Sequence, residues 1–464
     1  MVRLFGHYIP RALFLLLALE FLALFLSVYI AAEIRFPESP EATELFQSFN
    51  LKASVFAGIH VLVMIAVGLY RRATRDSFTS VISRLFWSIV LAFALLSILF
   101  YLFPSIFIGR GVFGISLGLG FVFLVIVRYS FYSIANKELF QSRILVLGTG
   151  KRAKQIMRLK RKSDWQGIKL VGFFHLKGDK NEVDDESIVI RSDEPLQKIV
   201  ERYGIDHLVI AVDDTRKNYP VNDIISLKLG GLRITDITEF FERRTGRMEI
   251  DTLSPNQVIF FDGFHTDYIR EAIKRVFDII VSATFLILSL PICFVLYFLI
   301  KHESRWRDPV IYSQIRTGQF GEPFTIYKFR SMVVDAEKDG PQFAAKNDAR
   351  VTRIGGIMRK TRLDEIPQMW NVLKGDMSFV GPRPERPEFV ADLAEKIPFY
   401  NMRHRVKPGI TGWAQICYPY GDNDEDAKQK LQFDLYYIKN FSLFLDLTIL
   451  LQTIQVIVWQ KGSR

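Results

Sequence analysis

Residues Arg359–Pro387 read RKTRLDEIPQMWNVLKGDMSFVGPRPERP. At the centre of this stretch is the adjacent pair Asp364-Glu365, with Arg353, Arg359 and Arg362 upstream and Arg383 and Arg386 downstream. Two neighbouring carboxylates among so many guanidinium groups suit the handling of phosphate, because the cations bind the anion and hold the carboxylates ionised. An ionised Asp can attack phosphorus or hold a divalent metal, and an adjacent Glu can share the load. The other reading of these charges is a helix surface laced with salt bridges. Gly375, Gly381, Pro382, Pro384 and Pro387 exclude a helix over GDMSFVGPRPERP. That run is expected to fold back as a rigid, Arg-bearing loop behind the carboxylates.

Upstream, PVIYSQIR and FTIYKFRSM read as short strands separated by Gly318 and Gly321, and they carry Arg316, Lys328 and Arg330. Alternation puts Lys328 and Arg330 on one face, where two cations can grip one diphosphate; a solvated strand face is the alternative. Downstream, RHRVKPGITGWAQI (Arg403–Ile416) adds cations, a Pro-Gly turn and an exposed-looking Trp413.

Three of these segments, IYSQIRTGQFGEPFTIYKFRSM, LDEIPQMWNVLKGDMSFVGPRPE and RHRVKPGITGWAQI, together resemble the bacterial polyprenyl-phosphate glycosyl-1-phosphate transferases, the sugar transferase family of exopolysaccharide and O-antigen initiation. The resemblance covers Ala272 to about Trp459 and, more loosely, the N-terminal arrangement. It implies transfer of a sugar 1-phosphate from a UDP-sugar to undecaprenyl phosphate at the cytoplasmic face of the bacterial inner membrane, with release of UMP. On matching positions it implies that Asp364 is the nucleophile and a ligand of Mg²⁺ (or Mn²⁺), and that Glu365 completes the dyad. It further implies that Lys328, Arg359 and Arg383 surround the phosphates; the residues themselves add Arg316, Arg330 and Arg353 as expected binding cations. Asp434, in FDLYYIKN, matches an acidic position of the family, and Pro382 and Pro384 would shape the Arg383 loop. A homodimer is an open possibility. One rival is a membrane-anchored nucleotide-sugar dehydratase, but the C-terminal half has no second Gly-rich fingerprint. A non-catalytic membrane scaffold or nucleotide sensor is the other rival, and the intact Asp364-Glu365 pair speaks against it.

The rest of the chain supplies a membrane setting. Of 464 residues 49% are hydrophobic, and the net charge of +11 suits anionic lipid or phosphorylated substrates. No nucleic-acid motif accompanies that charge. Cys293 and Cys417 form no disulfide framework, which fits domains facing the cytoplasm. Residues 1–135 are expected to hold four transmembrane helices, at Leu13–Ala32, Leu51–Tyr70, Leu85–Phe103 and Gly111–Val127. Arg71, Arg72, Arg75 and Arg84 in the second loop, against Glu33, Glu38, Glu41 and Glu44 in the first, place the N-terminus and the second loop inside, and Arg128 after the fourth helix agrees. Glu20, within the first helix, reads either as a functional carboxylate or as a helix–helix contact.

Residues 142–264 alternate short apolar runs (Arg143–Ala153, Lys169–Phe174, His207–Val212, Leu232–Ile237) with helical patterns, as in a Rossmann-like, CoA-binding-like α/β domain. Gly148-x-Gly150-x-x-Ala153 could seat a pyrophosphate, but no acidic ribose partner follows the second strand, so a structural or regulatory module is the other reading. Residues 270–464 form the third, α/β region. It opens with an apolar stretch, 272–300, flanked by Arg270, Lys274 and Arg275 before and Lys301, His302, Arg305 and Arg307 after. Cations at both ends, with Pro291 near the middle, predict a Pro-broken re-entrant helix rather than a fifth span. Leu443–Trp459 reads either as an interfacial amphipathic helix or as a core helix.

Overall fold

The computed structural model describes residues 2–4, 7–9, 11–37, 49–70, 78–135, 141–159, 162–165, 167–213, 219–253, 268–336, 348–418 and 423–459. Residues Ile9–Thr245 and Gly246–Arg464 form two compact units.

The first unit begins with α1 (Arg11–Arg35), α2 (Phe49–Ala66), α3 (Phe78–Leu102) and α4 (Arg110–Ala135). Leu24, Val28, Phe56, Met64, Leu85, Leu96 and Phe113 from all four helices share one core. Their outer faces leave Leu15, Leu22, Phe86, Ile98 and Ile126 exposed. A helix that is apolar both inside and outside is built for lipid. Each of the four is long and apolar enough to cross a bilayer, as is a fifth helix in the second unit. This is a membrane protein.

Arg128 does not behave as a loop flank. The fourth helix continues past it to Ala135, and the guanidinium is fully buried with Nε 2.6 Å from Glu20 Oε1. Its Nη1 donates to Leu69 O at 3.1 Å, and Tyr70 donates its hydroxyl to Glu20. A lone buried charge would be costly, so each residue is tolerable only beside the other. Glu20 is therefore a helix–helix contact, and Arg128 carries no topological information. The arginines that do carry it, Arg71, Arg72 and Arg75, lie outside the described residues, as do Glu38, Glu41 and Glu44.

The same unit then builds a parallel sheet from β1 (Ser142–Leu147), β2 (Ile168–Phe174), β3 (Val189–Ile190), β4 (His207–Ile210) and β5 (Arg233–Asp236), in the order β3-β2-β1-β4-β5. Ile144, Val146 and Phe173 face one core, and Leu145, Leu147 and Leu208 face another, so both sides of the sheet are covered. Four of these strands were legible as apolar runs, whereas two-residue β3 is too short to leave a pattern. The glycine turn after β1 holds an internal anion. Asp213 Oδ2 accepts from Lys151 N at 2.7 Å and Oδ1 from Arg152 N at 2.9 Å. A Cβ on Gly150 would lie 2.2 Å from Asp213 Oδ2, so the glycine makes room for the chain's own carboxylate.

In the second unit α8, numbered after α5 (Leu196–Arg202), α6 (Val221–Leu229) and α7 (Ile237–Thr245), runs from Tyr268 to Glu303. It is continuous through Pro291, so the expected break is not an interruption of the helix: proline removes one hydrogen bond and the remaining ladder holds. A hairpin of β6 (Ile311–Thr317) and β7 (Pro323–Phe329) follows, then α9 (Arg353–Thr361), a 3₁₀ turn (Leu363–Glu365) and α10 (Gln368–Lys374). Next come β8 (Ser378–Val380), α11 (Pro387–Lys396), β9 (Gly409–Thr411) parallel to β8, α12 (Trp413–Cys417), α13 (Asp424–Lys439) and α14 (Leu443–Trp459). Leu445 and Ile449 of α14 are fully buried and Thr453 hydrogen-bonds Thr411 at 2.7 Å, so this part of the tail is a core helix.

Removing either partner of the Glu20–Arg128 pair strands a buried charge. Glu20→Gln or Arg128→Met alone should destabilise the protein by about 3–5 kcal/mol, and the double variant should recover most of that loss. Thermal unfolding in detergent checks this; equal loss in the single and double variants would contradict it.

Candidate active site

The dyad owes its position to a left-handed residue. Thr352 caps α9 by accepting from Gly355 N at 3.0 Å, and α9 ends at Arg362, whose φ of 59° turns the chain inward. The turn that follows buries both Asp364 and Glu365. Asn371 of α10 then clamps the neighbouring strand: its Oδ1 accepts from Tyr327 N at 3.1 Å and its Nδ2 donates to Thr325 O at 2.7 Å. That registers β7 so that Lys328 reaches Glu365.

The two carboxylates have different surroundings. Glu365 Oε1 lies 3.0 Å from Arg383 Nη2, 3.4 Å from Lys328 Nζ and 3.4 Å from Arg362 Nη1. Burial would push Glu365 up, but the charges of Arg383, Lys328 and Arg362 outweigh it and hold it well below the usual carboxylate range. Asp364 Oδ1 is buried and has no hydrogen-bond partner among the described residues. Burial, and then the Glu365 charge beside it, pushes Asp364 up to about 6. The cations therefore do not hold both acids down, as their sequence proximity suggests. They are committed to Glu365.

Arg383 is held by its backbone. Gly381 N donates to Thr411 O and Gly409 N to Pro382 O, each at 2.8 Å. A Cβ on Gly381 would come within 2.4 Å of Lys407 O and one on Gly409 within 2.0 Å of Gly381 N, so only glycines allow these strands so close. Arg403 donates to Arg383 O at 2.9 Å and Arg316 to Pro384 O at 3.3 Å. Asp434, itself buried, pairs with Arg403 at 3.0 Å. Asp434 thus acts through Arg403 on the loop, a link that sequence spacing could not reveal.

These groups open on a cleft of about 660 Å³. Arg316, Lys328, Arg330, Arg359, Asp364, Glu365, Arg383 and Asp434 all line it. Arg330 is paired with Asp308 at 2.6 Å, while Arg359 has no acidic partner among the described residues. Arg353 does not join them: it sits exposed at the start of α9, about 120° around the helix from Arg359. Arg350, Arg386 and Lys430 also line the cleft. Lys430 reaches it from α13. Trp413 is buried rather than exposed, stacked on Tyr436 and donating to Gly246 O at 2.7 Å. Cations outnumber carboxylates around this cleft, which makes it a seat for polyanions.

The bacterial sugar transferase family matches residues 269–460, and a CoA-binding domain family matches residues 65–219. The chain is 44% identical over 236 residues to a UDP-N-acetylgalactosamine-undecaprenyl-phosphate N-acetylgalactosaminephosphotransferase of Aeromonas hydrophila, covering 51% of this chain and 55% of that protein. It is 45% identical over 188 residues to a UDP-glucose:undecaprenyl-phosphate glucose-1-phosphate transferase of Klebsiella pneumoniae, covering 40% of each. With an uncharacterized sugar transferase of Bacillus subtilis it shares 39% identity over 190 residues, covering 41% of this chain and 89% of that one. The chain thus spans about half the length, or less, of the first two relatives. As for CoA, its pyrophosphate does not fit the glycine turn, where Asp213 already takes the amides of Lys151 and Arg152.

Because folded Asp364 holds its proton more tightly than a free Asp, its stabilising share is complete below the ordinary pKa and is lost as pH rises through about 6. Asp364→Asn should therefore be more stable than the parent above that pH, by roughly 3 kcal/mol, with the gain vanishing below about pH 4. Melting curves across pH test this; a variant less stable than the parent at pH 8 would contradict it.

Proposed function

We propose that this chain, which belongs to the bacterial sugar transferase family, transfers a sugar 1-phosphate from a UDP-sugar to undecaprenyl phosphate at a membrane surface. The observation that carries this reading is the division of labour in the dyad: one carboxylate neutralised by three cations, the other buried with an unpartnered oxygen. An oxygen with nothing to release before it attacks is suited to be a nucleophile.

In this reading a UDP-sugar lays its diphosphate among Lys328, Arg359 and Arg383, which line the cleft around the dyad. Asp364 attacks the β-phosphorus, the bond from that phosphorus to the bridging oxygen breaks, and UMP leaves with the electron pair. The phosphosugar is then an acyl phosphate on Asp364. An oxygen of undecaprenyl phosphate displaces Asp364 in a second step, giving the diphosphate-linked lipid sugar and the free carboxylate. Glu365, kept ionised by its cations, holds Lys328, Arg362 and Arg383 in place around the reacting phosphates. Burial keeps water from the intermediate.

Among the described residues no cluster of three metal-ligating side chains occurs. Mg²⁺ commonly takes one or two carboxylates and fills its shell with phosphate oxygens and water, so Asp364 Oδ1 with a bound diphosphate fits that donor set. Mg²⁺ or Mn²⁺, when bound, would neutralise developing phosphate charge.

The re-entrant reading of α8 gains support from its ends. Near its start Arg275 hydrogen-bonds α10; near its end Leu296 and Ile300 pack with Val310, Phe329 and Met358. Both ends thus rest on one charged, folded unit that cannot straddle a bilayer, while Phe285, Leu288 and Phe294 between them stay exposed. In this reading a lipid phosphate reaches the cleft from the same side as a soluble nucleotide.

The test is nucleotide release from a panel of UDP-sugars by purified protein with Mg²⁺ and undecaprenyl phosphate. UMP from one donor is expected, with Asp364→Asn reduced by at least about 1,000-fold. UDP as product would identify ordinary glycosyl transfer and overturn the reading.

A further inference from the structure

Between the dyad and the Arg383 loop lies one turn, residues 372–379, and two side chains of α8 hold its two sides. Arg275 donates from Nη1 to Val372 O at 2.5 Å and from Nη2 to Leu373 O at 2.7 Å. These are among the last carbonyls of α10, the helix that starts three residues after Glu365, where a cation is favoured. Asp278, one helical turn on, accepts at Oδ1 from Phe379 N at 3.0 Å and from Ser378 Oγ at 3.1 Å. Ser378 N and Gly381 N point the other way, to Pro408 O and Thr411 O. Phe379 N therefore has Asp278 where an edge strand would have water. Lys274 balances the buried carboxylate, with Nζ 3.4 Å from Asp278 and 2.8 Å from Asp446.

We propose that Arg275 and Asp278 are positioning residues, which fix the separation between the Asp364–Glu365 turn and Arg383 and so make the membrane helix part of the catalytic frame. The proposal rests on the transfer reading above. At the far end α8 is anchored mainly by burial of Leu296 and Ile300, with Glu303 accepting from Ile354 N at 3.2 Å and Lys301 donating to Asp308 O at 3.0 Å nearer the surface. At this end the contacts are polar, buried at Asp278 and half-buried at Arg275, and aimed at both sides of a single turn. Contacts of that kind specify a distance. The Arg383–Glu365 contact of 3.0 Å depends on it, because Arg383 sits only three residues beyond β8.

The experiment measures UMP release by the full chain in lipid nanodiscs, from about pH 5 to pH 9, for the parent, Asp278→Ala, Arg275→Met, Asp278→Asn and Leu296→Ala. Asp278→Ala and Arg275→Met should lower kcat/KM roughly 100-fold, the scale expected of a 1 Å misplacement. Their acid limb should move up by about one pH unit as the charge of Arg383 leaves the carboxylates. Asp278→Asn keeps an acceptor at Oδ1 and should retain most of the activity. Leu296→Ala should lose thermal stability while keeping the parent's pH profile.

An acid limb unmoved in Asp278→Ala, with no greater loss of activity than in Leu296→Ala, would overturn the proposal and leave the contacts as packing. If the alanine variant does not accumulate, Arg275→Lys carries the same test, since it keeps the charge but reaches one carbonyl rather than two. It should lose about tenfold with the limb displaced, and a parental profile would overturn the clamp. An inactive parent removes the transfer reading and the clamp with it; an active parent with Asp278→Ala indistinguishable from Leu296→Ala removes the clamp alone.

Discussion

Glu365 is where the catalytic unit converges. Arg362 reaches it from the left-handed turn, Lys328 from a strand and Arg383 from a proline-framed loop. Each approach depends on a backbone device elsewhere: the φ of 59° at Arg362, the Asn371 clamp on β7, and the glycines that let β8 and β9 nearly touch. A carboxylate buried without those cations would take up a proton, and the cations without it would repel one another. Mutual dependence of this kind makes the arrangement rigid before any substrate arrives, which is the condition for electrostatic preorganisation.

The consequence falls on the neighbour. Because Glu365 absorbs the cations, Asp364 keeps a buried oxygen without a partner and a raised proton affinity. Two adjacent acids in one turn are thereby driven to opposite protonation behaviour by their surroundings. Bound diphosphate would engage the lining arginines without having to break an existing Asp364 contact. The membrane helix belongs to the same frame, since its Arg275 and Asp278 grip the turn between the dyad and Arg383.

Much of this was legible in the chain. The dyad and Arg383 could be singled out because glycines and prolines forbid a continuous helix behind Asp364-Glu365, Lys328 because of its strand alternation, and Arg359 through the family resemblance. The apolar helices and four of the five parallel strands were readable from run length and alternation. What stayed hidden were partnerships across long separations. Arg403 pairs with Asp434 and Arg128 with Glu20, and no local pattern announces either. Arg353 and Arg359 look equivalent in sequence, yet the helix carries only Arg359 to the cleft. Asp213 is an unremarkable loop acid until the fold sets it in the glycine turn, where it replaces the phosphate such turns suggest.

In the proposed reaction Asp364 forms a covalent phosphosugar before the lipid acceptor takes part. Incubating the protein with a UDP-sugar labelled at the β-phosphate, without undecaprenyl phosphate, and digesting it for mass spectrometry tests this most directly. Close to one label per chain is expected, hydroxylamine-labile as an acyl phosphate is and located on Asp364, with UMP released in equal amount. Label that appears only in lipid product once acceptor is added, with none on the protein, would contradict it and indicate direct displacement.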